Sequence, residues 1–196
     1  AYDERCATID GDNRYLWRMN RMRLDAESVR DAVLSISGRI DLTMGGPSVR
    51  QFVEGKGVHE TPVADYESFD VDSPAARRRS VYCFIFRTIP DPFMQTLDCP
   101  DASQWAPRRE TSITALQALA TLNDRLIIRQ SEHVAQRLAR EAGPDIGDQV
   151  RALYLLALSR PPEPDELSAV SRYAARHGMA NAVRMLINSN AFMFVD

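Results

Sequence analysis

Lysine is nearly missing from this 196-residue chain: Lys56 is the only one, and the other 23 of its 24 basic residues are arginines. A coding bias towards arginine accounts for that total, and arginine is also the better partner for buried or bidentate carboxylate pairing. There is no basic surplus either. A net charge of −3 and a pI near 5.7 argue against nucleic acid, whose phosphates demand a cationic footprint. No apolar run reaches 18 residues and no signal-peptide pattern occurs, so no membrane span is expected. The chain opens on "AYDERCATID" without a methionine and reads as the C-terminal piece of something longer.

Chemistry-bearing motifs are equally scarce. Cys6, Cys83 and Cys99 are an odd count with no CxxC or CxxCH spacing, which excludes zinc knuckles and covalent haem attachment within this segment. A Cys83–Cys99 bridge and three free thiols fit the sequence equally well. His59, His133 and His177 stand in no HExxH or other metal spacing, and each reads as a surface or cap-adjacent histidine. GxSxG is absent. The "GGPS" at 45–48 lacks the lysine and following helix of a phosphate-binding loop and reads as a tight turn.

What is present is one core's worth of helix. At 44% hydrophobic and 26% charged, residues 1–196 are expected to form a single domain. Residues 1–24 are a polar, aromatic-dotted arm, either a short helix or an extended strip laid on the core. Asp25 is placed to cap a helix carrying Val29, Val33 and Ile36, which Gly38 closes. The segment 41–76 is rich in Gly, Pro and Asp and reads as a long irregular insertion, with strand-like pieces such as 49–53 and room for a hairpin. In "RRRSVYCFIFRTIP" the apolar run 81–86 reads as a strand buried on both faces, although a short buried helix gives the same run. Arg77, Arg78 and Arg79 read as its solvated or locally salt-bridged approach.

From residue 111 the chain is helical nearly to its end. A helix over 111–122 puts Ile113, Leu116, Leu119 and Ala120 on one face, and a second over 124–142 closes at Gly143. A third is capped by Asp145 and stops before Pro161. A fourth starts on Pro164 and ends at Gly178, and a fifth covers 180–188. Short connections make these antiparallel neighbours. The fold class is therefore mainly α: a bundle-like core of about five to six helices over 111–196, with a minor β or irregular excursion at 41–90.

One stretch, "FMQTLDCPDASQWAPRRETSITALQALATLND", collects the residues able to carry a site. Asp98 and Asp101 bracket Pro100 on a loop, and Arg108 and Arg109 precede a helix whose first turn holds Thr111 as cap. If the loop folds back, either aspartate can take bidentate bonds from either arginine; otherwise the same groups face a ligand, acidic or hydroxyl-rich. Gln117 sits on an apolar side and needs a partner if buried. Asn123 and Asp124 stop one helix and cap the next.

Five stretches in order, "LWRMNRMRLDAESVRDAVLSISGRIDLTMGGPSV", "RRSVYCFIFRTIPDPFMQTLDCPDAS", "RRETSITALQALATLND", "ALSRPPEPDEL" and "LINSNAFMFVD", resemble the planctomycete-type C-terminal domain of unknown function 1553. The resemblance implies a C-terminal module of a large, often exported protein that also carries cytochrome-c-like and, in some members, carbohydrate-binding-like domains. It implies a periplasmic or cell-envelope location, sister domains as partners, carbohydrate or another envelope component as ligand, and no cofactor here, any haem belonging to a neighbouring domain. It supplies no activity. With no catalytic constellation, the expectation is a non-enzymatic binding or assembly module. Its rivals are a hydrolase-type or metal-dependent enzyme using Asp98, Asp101, Arg108 and Arg109, and a structural domain docking on its sisters.

Overall fold

The computed structural model describes residues 3–57, 62–105, 109 and 111–195. Among them run nine α-helices and two two-stranded antiparallel sheets, so the protein is mainly α with a minor β excursion. The arm begins with α1 (Glu4–Ile9) and ends in β1 (Met22–Arg23), which pairs with β4 (Phe194–Val195) and so ties the two ends of the chain together. Between them come α2 (Ala26–Ile36), the hairpin β2 (Val53–Lys56) and β3 (Pro62–Asp65), α3 (Pro92–Thr96), α4 (Ala115–Asn123), α5 (Arg125–Glu141), α6 (Ile146–Leu158), α7 (Pro164–His177), α8 (Met179–Ile187) and α9 (Asn190–Met193).

Local signals place the helix ends. Asp25 accepts from the Ser28 amide at 2.8 Å to start α2, and Gly38, at φ 72°, lets the Arg39 amide turn back to the Leu34 carbonyl at 2.9 Å. Asp124 and Asp145 cap α5 and α6 in the same way. Pro164 opens α7 beside a Glu163/Glu166 capping box. The core then forms where the apolar stripes meet. Val29 and Val33 of α2, Ile127, Val134 and Leu138 of α5, Val150 and Leu153 of α6, and Val183 and Ile187 of α8 are buried in one cluster. Helix α8 lies against α5 and α7, and α6 against α7, so the bundle draws in α2 as well as the C-terminal helices.

Two apolar stretches lie otherwise than their sequence suggests. The run 81–86 is not a buried strand. Residues Ser80–Tyr82 make a 3-10 turn, Val81 and Ile85 face solvent, and the only pairing there is a bridge between Cys83 and Val49. Instead, Phe84 and Phe86 point the same way, onto Phe52, with centroids 6.0 and 5.5 Å from its ring, and Tyr66 joins them at 5.5 Å. An apolar run records hydrophobicity and not its direction, and a satellite aromatic cluster satisfies half of this one. The hairpin does form, but it begins at Val53, the last residue of the strand-like piece 49–53.

The second is α4, which sits inside out. Ile113, Leu116 and Leu119 are 81%, 68% and 54% exposed, while Gln117 and Thr121 are buried. Thr121 donates to the Gln117 carbonyl at 3.0 Å and to the Asn188 side chain, so the polar side has the partners and faces inward. The helix begins later than residue 111 because Thr114, with Gln117 in a capping box, is its cap. An I113Q/L116Q/L119Q variant is therefore expected to stay within about 0.5–1 kcal/mol of the parent in urea unfolding, the range of surface substitutions. A loss of several kcal/mol would restore the buried face.

The arginine run is less solvated than expected. Arg78 is buried, donating to the Thr43 carbonyl at 2.9 Å and the Gly45 carbonyl at 2.6 Å, and Arg77 donates to the Asp72 carbonyl at 2.9 Å. His133 is not a surface group: its Nε2 lies 2.7 Å from Asp72 Oδ1, joining the excursion to α5. His177 stacks on Tyr173, and His59 lies outside the described residues. All three cysteines are free.

Candidate functional site

The loop that carries Asp98 and Asp101 does not pair as its sequence invites. Asp98 follows α3 at φ 64°. Its Oδ2 accepts from Arg23 Nη1 at 3.0 Å, the Ser112 amide at 2.7 Å and Gln117 Nε2 at 2.9 Å, while Oδ1 accepts from Ser112 Oγ at 2.8 Å. Burial alone would raise this carboxyl; the Ser112 and Gln117 bonds and the Arg23 charge outweigh it and hold it below the ordinary range. Arg109 goes elsewhere, in a bidentate pair to Glu27 at 2.7 and 2.8 Å, with Asp25 at 3.4 Å. The expected Asp98 or Asp101 pairing with Arg109 is thus replaced by partners from the arm and α2. Arg108 lies outside the described residues.

Of the other candidates, Asp101 shares a cleft with Asp98 and Gln117 bonds to Asp98, while Asn123 and Asp124 line a neighbouring cavity. Asp101 accepts from the Ser103 amide at 2.8 Å in a local turn. Thr111 is exposed and caps nothing, the role having passed to Thr114. Gln117 is buried and finds Asp98 and Ser112 as partners. Asn123 ends α4 and Asp124 caps α5, as expected.

A cleft of about 870 Å³ opens between the excursion, at Tyr66 and Cys83 to Thr88, and the α3 segment from Pro90 to Trp105. Glu27 and Arg30 line it from α2, Gln51 lines it from the excursion, and Trp105 stands fully exposed at its margin. A smaller cavity of about 260 Å³, lined by Asn123 and Asp124 among others, shares Arg30, Gln51, Tyr66 and Asp91 with it. The family model described as "PSD1: Protein of unknown function (DUF1553)" matches residues 1–174. The chain belongs to that family. No curated protein and no solved structure matches it significantly.

The group in this DUF1553 cleft that the sequence reading missed is Asp91. Its Oδ1 caps α3, accepting from the Phe93 amide at 2.9 Å and the Met94 amide at 3.2 Å. Its Oδ2 has no hydrogen-bond partner among the described residues. Burial pushes this carboxyl above the ordinary range, against the pull of the two amides and Arg30. Burial likewise lifts Asp124, with the Asp91 charge adding. "DPF" marks a cap with proline at the first helical position, but nothing in it announces burial.

The remaining cleft chemistry is subdued. Burial raises Cys83, and it raises Cys99 to about 11. Both thiols are protonated at neutral pH and poor nucleophiles. Tyr66, pushed up to about 12 by burial, donates to the Ile89 carbonyl at 2.8 Å. Among the described residues, no three His, Cys, Asp or Glu side chains group so as to hold a metal ion, and no helix is long and apolar enough to cross a membrane.

Proposed function

We propose that this DUF1553 chain is a non-catalytic binding module whose cleft takes a hydroxyl-rich ligand such as an oligosaccharide. The observation that carries the reading is the lining: the aromatic side chains of Tyr66, Phe84, Phe86 and Trp105 line the cleft together with the polar Gln51, Gln95, Ser103 and Gln104. Apolar walls with a few polar groups are what orient a small ligand, and an exposed indole offers a flat face and one N–H. The catalytic rival is weakened because Asp98, its best carboxylate, is committed to four hydrogen bonds. We further propose that the module closes a larger exported protein of planctomycete type, located in the periplasm or envelope. In this reading it acts beside cytochrome-c-like and carbohydrate-recognising sister domains and holds no cofactor of its own, haem being confined to a neighbour.

A panel of soluble oligosaccharides titrated against the 196-residue chain, followed calorimetrically, tests the reading. One class should bind saturably, and Trp105→Ala should weaken it by about ten-fold or more, as expected for an aromatic anchor. Saturable turnover of an ester, glycoside or phosphate would overturn it in favour of an enzyme. The outward apolar face of α4, Leu116 and Leu119, with Ile113 just ahead of the helix, favours docking on a sister domain as a second role.

A further inference from the structure

Of the charged side chains that line the cleft, Arg87 and Asp101 are exposed, and those withdrawn from the surface are matched with one exception. Glu27 is matched by Arg109 and Asp98 by Arg23. Arg30 spends its guanidinium on Asp31, Gln51 and three groups of the excursion. Asp91 has no cation in ion-pair reach among the described residues. Half-buried, with Oδ2 unpartnered, it lies on the wall common to both cavities.

A half-buried carboxylate with no ion pair is satisfied only in part by a ligand hydroxyl, which supplies a hydrogen bond and no charge. An ammonium supplies both. The neighbouring walls suit one as well, because the faces of Tyr66, Phe86 and Trp105 attract cations through the ring quadrupole. Phe84, on the same wall, already holds the Arg50 guanidinium 5.6 Å from its centroid.

We infer that the cleft selects a ligand bearing a protonated amine, an amino sugar in the reading given above, and that Asp91 Oδ2 receives that amine. The inference rests on the cleft being a ligand site. The groups that face Asp91 are Arg30 from α2, Tyr66 from the excursion, Cys83 beyond the 3-10 turn, Cys99 after α3 and Asp124 at the start of α5. Tyr66 and both thiols remain neutral up to about pH 8. Asp91 and Asp124 are therefore the groups of this set that titrate below neutrality. Amine binding weakens as the pH falls and Asp91 takes up a proton. Because burial lifts Asp91, that loss sets in above the pH of an ordinary aspartate.

The test is calorimetry on the full chain at neutral pH with a glucosamine oligomer and its N-acetylated counterpart of equal length. The parent is expected to prefer the free amine by about ten-fold or more. Asp91→Asn, which keeps an oxygen to cap α3, is expected to erase that preference while leaving the acetylated ligand within about three-fold. Equal affinity for the two oligomers in the parent, or an undiminished preference in D91N, overturns the inference and leaves the binding reading standing. Failure of both oligomers overturns the saccharide reading instead. Benzylamine against benzyl alcohol then decides the amine question: selective uptake of the amine, lost in D91N, supports it, and no selectivity ends it.

Discussion

Replacing Asp98 with alanine is expected to lower the unfolding free energy by about 2–4 kcal/mol, because it orphans a guanidinium buried against three segments of chain. The Arg23 side chain is only 9% exposed and donates both to Asp98 and to the Ser112 carbonyl. Removing the carboxylate strips it of its counter-charge and leaves the Ser112 amide and Gln117 Nε2 one acceptor short. The lower bound reflects the partial exposure of Asp98, which water screens. An R23M/D98L double variant should recover much of the loss, because replacing a buried pair with apolar groups is often neutral. The pH dependence runs in one direction. Asp98 is held below its unfolded value of 3.8, so its contribution is fully present above that value and is lost as the pH falls through the lower folded one. Urea unfolding of parent and D98A from neutral to acid pH should therefore converge at the acid end. A D98A loss below about 0.5 kcal/mol at neutral pH would show that the clamp does not hold the α3–α4 junction.

Arg30→Met should have the second large effect, about 3–5 kcal/mol, concentrated in residues 41–90. This buried guanidinium reaches from α2 to the Ala76 carbonyl at 2.7 Å, the Arg78 carbonyl at 2.9 Å, Ser80 Oγ at 3.3 Å and Gln51 Oε1 at 3.1 Å. Beside it Asp31 accepts from the Ser80 amide at 2.8 Å and from Ser80 Oγ at 2.7 Å. Little else of the excursion is regular structure, so these bonds carry a large share of its attachment to the bundle. Methionine keeps the stem and removes five donations, four of them to acceptors of the excursion. Hydrogen exchange should show faster exchange in the excursion, with the α5–α8 core still protected, and the cleft should lose its ligand. Unchanged exchange across residues 41–90 would mean that the aromatic cluster around Phe52 is the true anchor.

Arg30 and Asp98 show what kind of information the chain displays openly. Asp25, Asp124, Asp145 and Pro164 act where their local spacing puts them, because a cap satisfies amides two or three residues away and needs nothing from the rest of the fold. Gly38 and Gly143 end helices at positive φ for the same reason. Gln117 was legible in part: a buried amide on an apolar side had to find a partner, though its identity was not visible. Arg30 gave no such sign, since a lone arginine on an amphipathic helix usually lies at the surface.

By itself, then, the sequence determined the helical class, most helix ends, the irregular character of 41–76 and the membership in the DUF1553 family. Tertiary structure alone decided that α4 turns Gln117 and Thr121 inward, that 81–86 is half exposed, and that Asp91 lies half-buried in a cleft. It also chose Arg23 for Asp98 and Glu27 for Arg109, across 75 and 82 residues. The physical reason is range. A cap or a glycine turn closes within one helical turn, whereas an ion pair or a buried face is selected by whichever distant groups the completed core brings within about 3 Å.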